Sequence, residues 1–283
     1  MTTGIIRNKI FNSALVRIIF GLIICLSSII IAQQTFLKIP AVKMLSADSR
    51  NLTKGIFVSI LLLGSYWFFY SKYEKRIITE LSINGLWRKL FTGILIGSGL
   101  QLLTILVIYV YGGFTIIAIN PVSVLVIPFT VAFTVAIIEE ILLRGIVFRI
   151  IEEKWGSTIG LTISGLIVGG LHLINPHVTL VSVLCITVVG VLLGAAYTYD
   201  RNLWMPIGIH FAWNFTQNGI FGAITSGNEK TGSFFTTQIT GPEILTGGQF
   251  GPEGSLQALL FCAIATIVFI LVLNKQNKIV KLK

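Results

Sequence analysis

The chain has 283 residues, 54% hydrophobic and only 11% charged, with a formal net charge of +10 and a mean hydropathy of +0.88. Soluble domains carry about a quarter charged residues and need a polar cover, so this composition excludes a water-soluble globular protein. The positive charge does not indicate nucleic acid. Lys and Arg sit at the ends of apolar runs, the pattern that orients membrane proteins.

A bilayer-spanning helix needs about 20 mostly apolar residues. Candidate runs follow in chain order at 13–33, 55–71, 90–111, 121–150, 158–175, 178–199, 204–221 and 255–273. The expected fold is therefore all-α, a polytopic transmembrane helical bundle of about eight spans, since helices satisfy their own backbone groups in lipid. The first run, from Ala14 to Ala32, has no small-residue cleavage site after it and reads as a retained helix. The loop 34–54 has room for an interfacial helix. The segment 72–89 is basic with interspersed Ile, Leu and Trp87, as expected of a stretch lying along headgroups. The loop 222–254 contains Gly241-Pro242-Glu243 and Gly251-Pro252-Glu253, both turn signals, and is either a solvated connector or a lid. No repeat of about 20–50 residues is visible, so nothing favours an inverted-repeat transporter. Cys25, Cys185 and Cys262 all lie in apolar runs and read as packing residues, not as a disulfide framework or a Zn–thiolate site.

With the N-terminus inside, the cytoplasmic segments hold 15 Lys and Arg, including Arg7, Lys9, Arg17, Lys72, Lys75, Arg76 and the tail to Lys283. The outer segments hold five: Lys38, Lys43, Arg50, Lys54 and Lys230. This asymmetry predicts that both termini are cytoplasmic.

The fourth run, PVSVLVIPFTVAFTVAIIEEILLRGIVFRI, carries Glu139, Glu140 and Arg144 among Ile and Leu. An ionised group near a bilayer centre costs about 2.5–3.5 kcal/mol on insertion scales, so three together need a reason. Glu140 and Arg144 are i,i+4 and about 40° apart around a helix, close enough to pair. Glu139 is about 100° from Glu140 and faces another neighbour. Taken alone, the trio also fits an ion pair that fixes helix packing. His172 stands in a Gly-rich run after Gly169 and Gly170, and His210 is followed one turn later by Asn214. His177, after Pro176 in a short outer turn, reads as incidental. Counted from the cytoplasmic ends, Glu139, His210 and His172 lie about 15, 10 and 22 Å deep, compatible with one cavity once tilt is allowed.

The order Glu139-Glu140-x3-Arg144, then Val168-Gly-Gly-Leu-His172, then His210-Phe-Ala-Trp-Asn214 resembles the CAAX prenyl protease and bacteriocin-processing family. That family is also called type II CAAX protease or abortive-infection. The resemblance covers about residues 121–220, the family's four-helix catalytic core, and divides the chain into N-terminal helices and loops (1–120), the core, and an outer loop, last helix and basic tail (221–283). Val168 stands where the family usually has an aromatic residue. The resemblance implies an intramembrane endopeptidase in a bacterial plasma membrane, acting on a membrane-associated peptide of prenylated, bacteriocin or signal type. It implies Glu139 as general base, His172 as the residue that positions a water, and His210 and Asn214 as donors to the oxyanion, with Glu140 the partner of Arg144. An exchange of the two glutamate roles stays open, because sequence does not set helix rotation. Glu139, His172 and His210 are also legitimate Zn²⁺ ligands, so metal-dependent and metal-free glutamate chemistry are both carried forward. The rival readings are a membrane immunity or partner-binding protein that uses the polar cluster for packing, and a transporter.

Overall fold

The structure, a computed structural model, describes residues 13–282. Arg7, Lys9 and Lys283 of the charge count lie outside the described residues. Helix α1 (Ala14–Phe36) starts where the Ser13 hydroxyl accepts from the Val16 N–H. A single turn, α2 (Pro40–Lys43), occupies the loop in which an interfacial helix was expected. Then come α3 (Ala47–Lys72), α4 (Leu86–Val110) and α5 (Val126–Glu140). Helix α5 continues as π-helix over Ile141–Phe148 and runs into α6 (Arg149–Leu171). Helix α7 (Leu180–Asp200) opens on a capping box between Thr179 and Ser182. Helix α8 (Trp204–Asn214) also ends as π-helix, Phe215–Ile220. A short α9 (Glu243–Thr246) and the long α10 (Leu256–Lys275) complete the order.

Six helices among the described residues are long and apolar enough to cross a membrane. One of them, Val122–Ile174, spans 53 residues and absorbs two of the runs read from sequence. It turns sharply at Gly156, whose φ of 83° and ψ of 168° suit glycine alone. The turn is held by the chain's last segment: Ser157 N–H donates to the Val280 carbonyl and Val280 N–H to Ser157 Oγ, each at 2.9 Å. The seventh run, α8 with its π extension, has 11 and 6 residues, somewhat short for a full span. The eight runs and the six long helices thus describe one architecture.

The outer face of the bundle is apolar, with Ile23 and Ile30 on α1, Leu102 and Leu106 on α4, and Leu260, Ile264 and Leu271 on α10 all exposed. Such a surface is matched by lipid chains, so the polar interior is the unusual part. Small residues bring the site helices together. A Cβ on Gly97 of α4 would lie 2.2 Å from the Ile209 carbonyl oxygen of α8, and one on Gly169 of α6 would lie 2.1 Å from Thr187 Oγ1 of α7.

One element was not foreseen from sequence. Strands β1 (Phe114–Ile119) and β2 (Phe235–Ile239) pair antiparallel, with Phe114 opposite Ile239 and Ile119 opposite Phe235. They join the end of α4 to the long loop after α8. At the opposite end of the bundle, the segment 73–85 is pinned by Glu80, which is 2% exposed. Glu80 accepts from the Tyr66 hydroxyl and from both terminal nitrogens of Arg76. Burial pushes its carboxyl up, but the hydrogen bond and charge of Arg76, with the Tyr66 hydroxyl, more than offset this and hold it below the ordinary carboxylate value.

Candidate active site

Glu139 and Glu140 are adjacent in sequence but meet different surroundings. Glu140 is fully buried, and its Oε1 accepts from Arg144 Nη1 and from His210 Nδ1, both at 2.9 Å. Arg144, 1% exposed, also donates through Nη2 to the Gly190 carbonyl of α7 at 2.9 Å. One carboxylate thereby ties α5, α7 and α8 together through charge-assisted bonds. Glu139 is turned about a third of the way round the helix and is 36% exposed at its side chain. Its Oε2 lies 4.0 Å from His210 Nε2, too far for a direct hydrogen bond and suited to a bridging water or substrate group.

The π-helix that follows Glu140 contributes to this arrangement. An i→i+5 turn frees a backbone carbonyl, and the Gly145 oxygen accepts from Tyr66 Oη and Arg149 Nε, both at 2.9 Å. Tyr66 and Arg149 thus hold the helix in which Arg144 sits.

His172 closes α6. Its Nδ1 lies 2.9 Å from the Val168 carbonyl, which can only accept, so Nδ1 bears a proton and, in the neutral ring, Nε2 is the accepting nitrogen. The bond uses the backbone of Val168, so the missing aromatic side chain does not affect the ring's tautomer. His210 has its Nδ1 committed to Glu140 in a parallel way, and its Nε2 faces Glu139. His177 is exposed in a turn, with φ of 57°.

Glu139, Arg144, His172, His210 and Asn214 all line one cavity of about 1010 Å³, whereas Glu140 stands behind its wall. The cavity has two characters. Leu15, Ile18, Leu22 and Leu26 of α1, with Val131 and Val135 of α5, make one side apolar. Asn175, Asn218, Ser226, Thr231 and Glu253 make the other polar. The loop 222–254 is therefore part of the wall and not simply a solvated connector. Sequence reading missed Glu253 because Gly-Pro-Glu was accounted for as a turn. Nothing local marks that carboxylate as 1% exposed.

Among the described residues, no three His, Cys, Asp or Glu side chains are gathered so as to hold a metal ion. Glu139, His172 and His210 share the cavity without forming a ligand set as arranged.

No curated protein and no solved structure matches the chain at a significant level. Residues 121–216 match a family model, Rce1-like, described as type II CAAX prenyl endopeptidase Rce1-like. The matched segment runs from the start of the fourth apolar run to the π extension of α8 and contains all six residues from Glu139 to Asn214. This chain is an integral membrane protein whose residues 121–216 resemble the Rce1-like, type II CAAX prenyl endopeptidase family.

Proposed function

We propose that the protein is an intramembrane endopeptidase that hydrolyses a peptide bond in a membrane-associated peptide, with a water activated by Glu139. The observation that carries this reading is the asymmetry of the glutamates. Glu140 is bound by Arg144 and His210, while Glu139 faces the cavity beside the His210 ring. A buried ion pair needs no second carboxylate at its side. A general base needs one that is positioned and not clamped.

In this mechanism His172 Nε2 accepts one hydrogen of the water and orients it, its Nδ1 proton being held by Val168. Glu139 removes the other proton as the water oxygen bonds to the scissile carbonyl carbon. The carbonyl electrons move to oxygen, and the oxyanion accepts from His210 Nε2–H and Asn214 Nδ2–H. For Nε2 to donate, the His210 ring holds both protons, and the Glu140 carboxylate at Nδ1 is the adjacent counter-charge. Collapse breaks the C–N bond, and the leaving amine takes the proton from Glu139.

Peptides with prenylated C-termini, which the family description names, and bacteriocin- or signal-type peptides are the substrates to assay. The Lys and Arg asymmetry supports a plasma-membrane orientation with both termini cytoplasmic. The central test is peptide cleavage by purified, lipid-reconstituted protein. Glu139→Ala and His172→Ala are each expected to abolish cleavage while the chain still folds. Normal processing by both variants would overturn the assignment of Glu139 and His172, whereas a folded wild-type chain that cleaves no peptide would favour a partner-binding or immunity protein. Stoichiometric zinc in wild-type protein that is lost in His172→Ala would replace the metal-free mechanism with a metal-dependent one.

A further inference from the structure

Glu253 has so far been read only as part of a turn and lies outside the matched segment, yet it is a 1% exposed carboxylate in the wall of the same cavity. Its Oε2 accepts from Trp213 Nε1 at 2.9 Å. Its Oε1 accepts from both the backbone N–H and the hydroxyl of Ser226 at 2.6 Å. Each of these partners leads to a proposed catalytic group. Trp213 lies between His210 and Asn214 on α8 and is itself buried. Ser226 offers its carbonyl to Asn175 Nδ2 at 3.1 Å, and Asn175 follows His172 by three residues. The path Trp213–Glu253–Ser226–Asn175 therefore links the helix that carries His210 and Asn214 to the segment that carries His172, across the polar end of the cavity.

The other contacts of this loop reinforce the path. Gln217, one turn beyond Trp213, donates to the Ile224 carbonyl at 2.7 Å. Gly251 is packed so tightly that a Cβ there would lie 2.0 Å from the Ile224 carbonyl oxygen. The Gly-Pro-Glu turn is thus pressed onto the stretch 224–226, and its glutamate points inward instead of into solvent. A buried carboxylate that accepts three hydrogen bonds is a stiff connector, since losing any one leaves a donor without its partner.

We infer that Glu253 is a positioning residue, whose carboxylate fixes the loop 222–254 and sets the separation of the His172 segment from the His210–Asn214 helix. This rests on the peptidase reading above. It makes a specific claim beyond it: hydrolysis depends on a glutamate that touches neither the water nor the peptide. Misplacing reacting groups by about 1 Å can cost about 100-fold in rate, so loss of the tether should appear in kcat more than in KM.

The test combines kinetics with a probe that does not depend on activity. Lys230 is exposed and is the only Lys or Arg between Arg201 and Lys275, so trypsin nicking of the folded, detergent-solubilised protein within this loop reports on one bond. Glu253→Gln and Trp213→Phe are each expected to speed nicking after Lys230 and to lower kcat by about 10- to 100-fold, with KM little changed and the folded fraction preserved. Glu253→Asp, which retains the carboxylate, is expected to recover part of the rate. The Glu253→Gln, Trp213→Phe double variant is expected to be no worse than the poorer single variant, because both cut one link. Should Glu253→Gln give a chain that does not fold, Trp213→Phe and Ser226→Ala carry the same comparison. Wild-type kcat in the folded variants overturns the inference, whether or not nicking accelerates. So does an effect of Trp213→Phe that adds fully to that of Glu253→Gln. A wild-type chain that cleaves no peptide sinks the peptidase reading and this inference with it, whereas an active wild type with fully active Glu253 variants sinks this inference alone.

Discussion

The two adjacent glutamates show how much one step around a helix decides. Glu140 is completely buried against Arg144 and His210, so Glu140→Ala leaves the guanidinium without its counter-charge. Removing one partner of a buried pair costs about 3–5 kcal/mol, and a marked loss of thermal stability is the expected outcome. Glu139→Ala removes a partly exposed group and should unfold close to the wild-type temperature while losing activity. Thermal unfolding of both variants, followed by tryptophan fluorescence, checks this difference, and equal stability would contradict the burial argument. Glu80 provides a pH test. Its carboxyl is held below the ordinary value, so the stability it contributes is present above about pH 4.3, the unfolded value, and is lost as pH falls through the folded one. Glu80→Gln is therefore expected to flatten the fall in melting temperature on acidification. At this scale much was legible: the i,i+4 spacing of Glu140 and Arg144 foretold their pairing. The contact of His210 with Glu140 was not legible, because it depends on how α8 is rotated against α5 and no local pattern encodes that.

At the scale of elements, hydropathy located the apolar runs well because bilayer thickness dictates their length. It did not reveal that two of them end in π-helix, a change of hydrogen-bonding register with no compositional signature. Nor did it reveal the β1–β2 pair, since the partner of Phe114–Ile119 lies more than a hundred residues on, in a loop whose glycines and prolines dominated the reading. Close helix approach is where substitution has the clearest expected effect. A methyl at Gly97 would meet the Ile209 carbonyl, a backbone atom that cannot swing aside, one residue before His210. Gly97→Ala is expected to destabilise the protein by about 1–3 kcal/mol and to depress cleavage by displacing α8. By contrast, a Cβ on Gly99 meets nothing within 4 Å, so Gly99→Ala on the same helix serves as the matched control. Equal melting temperatures and rates for the two variants would count against a packing-limited site.

For the molecule as a whole, the Lys and Arg distribution leads to a direct measurement. Cys25, Cys185 and Cys262 are all buried and free, so the wild-type chain offers an impermeant thiol reagent little background. Lys230→Cys is expected to be labelled from outside intact cells, and Lys75→Cys only after the membrane is opened. The reverse pattern would invert the proposed orientation. What the sequence could not convey at this scale was that the long loop 222–254 forms part of the cavity. Its turn residues, polar composition and length suit a free connector equally well, and only the inward placement of Ser226 and Glu253 separates the two.

Helix α1 lies outside the segment matched by the family model, yet Leu15, Ile18, Leu22 and Leu26 form a large part of the cavity's apolar side. The residues proposed to act on the peptide bond come from other helices. On the proposed function, selection can therefore alter the width and shape of this wall without disturbing the proposed hydrolytic groups, which leaves the preference for one peptide over another free to diverge while the chemistry is inherited unchanged. Exchanging those four leucine and isoleucine positions between homologous chains is a route to redirecting such an enzyme, with the sign of success a changed order of substrates at a conserved maximal rate.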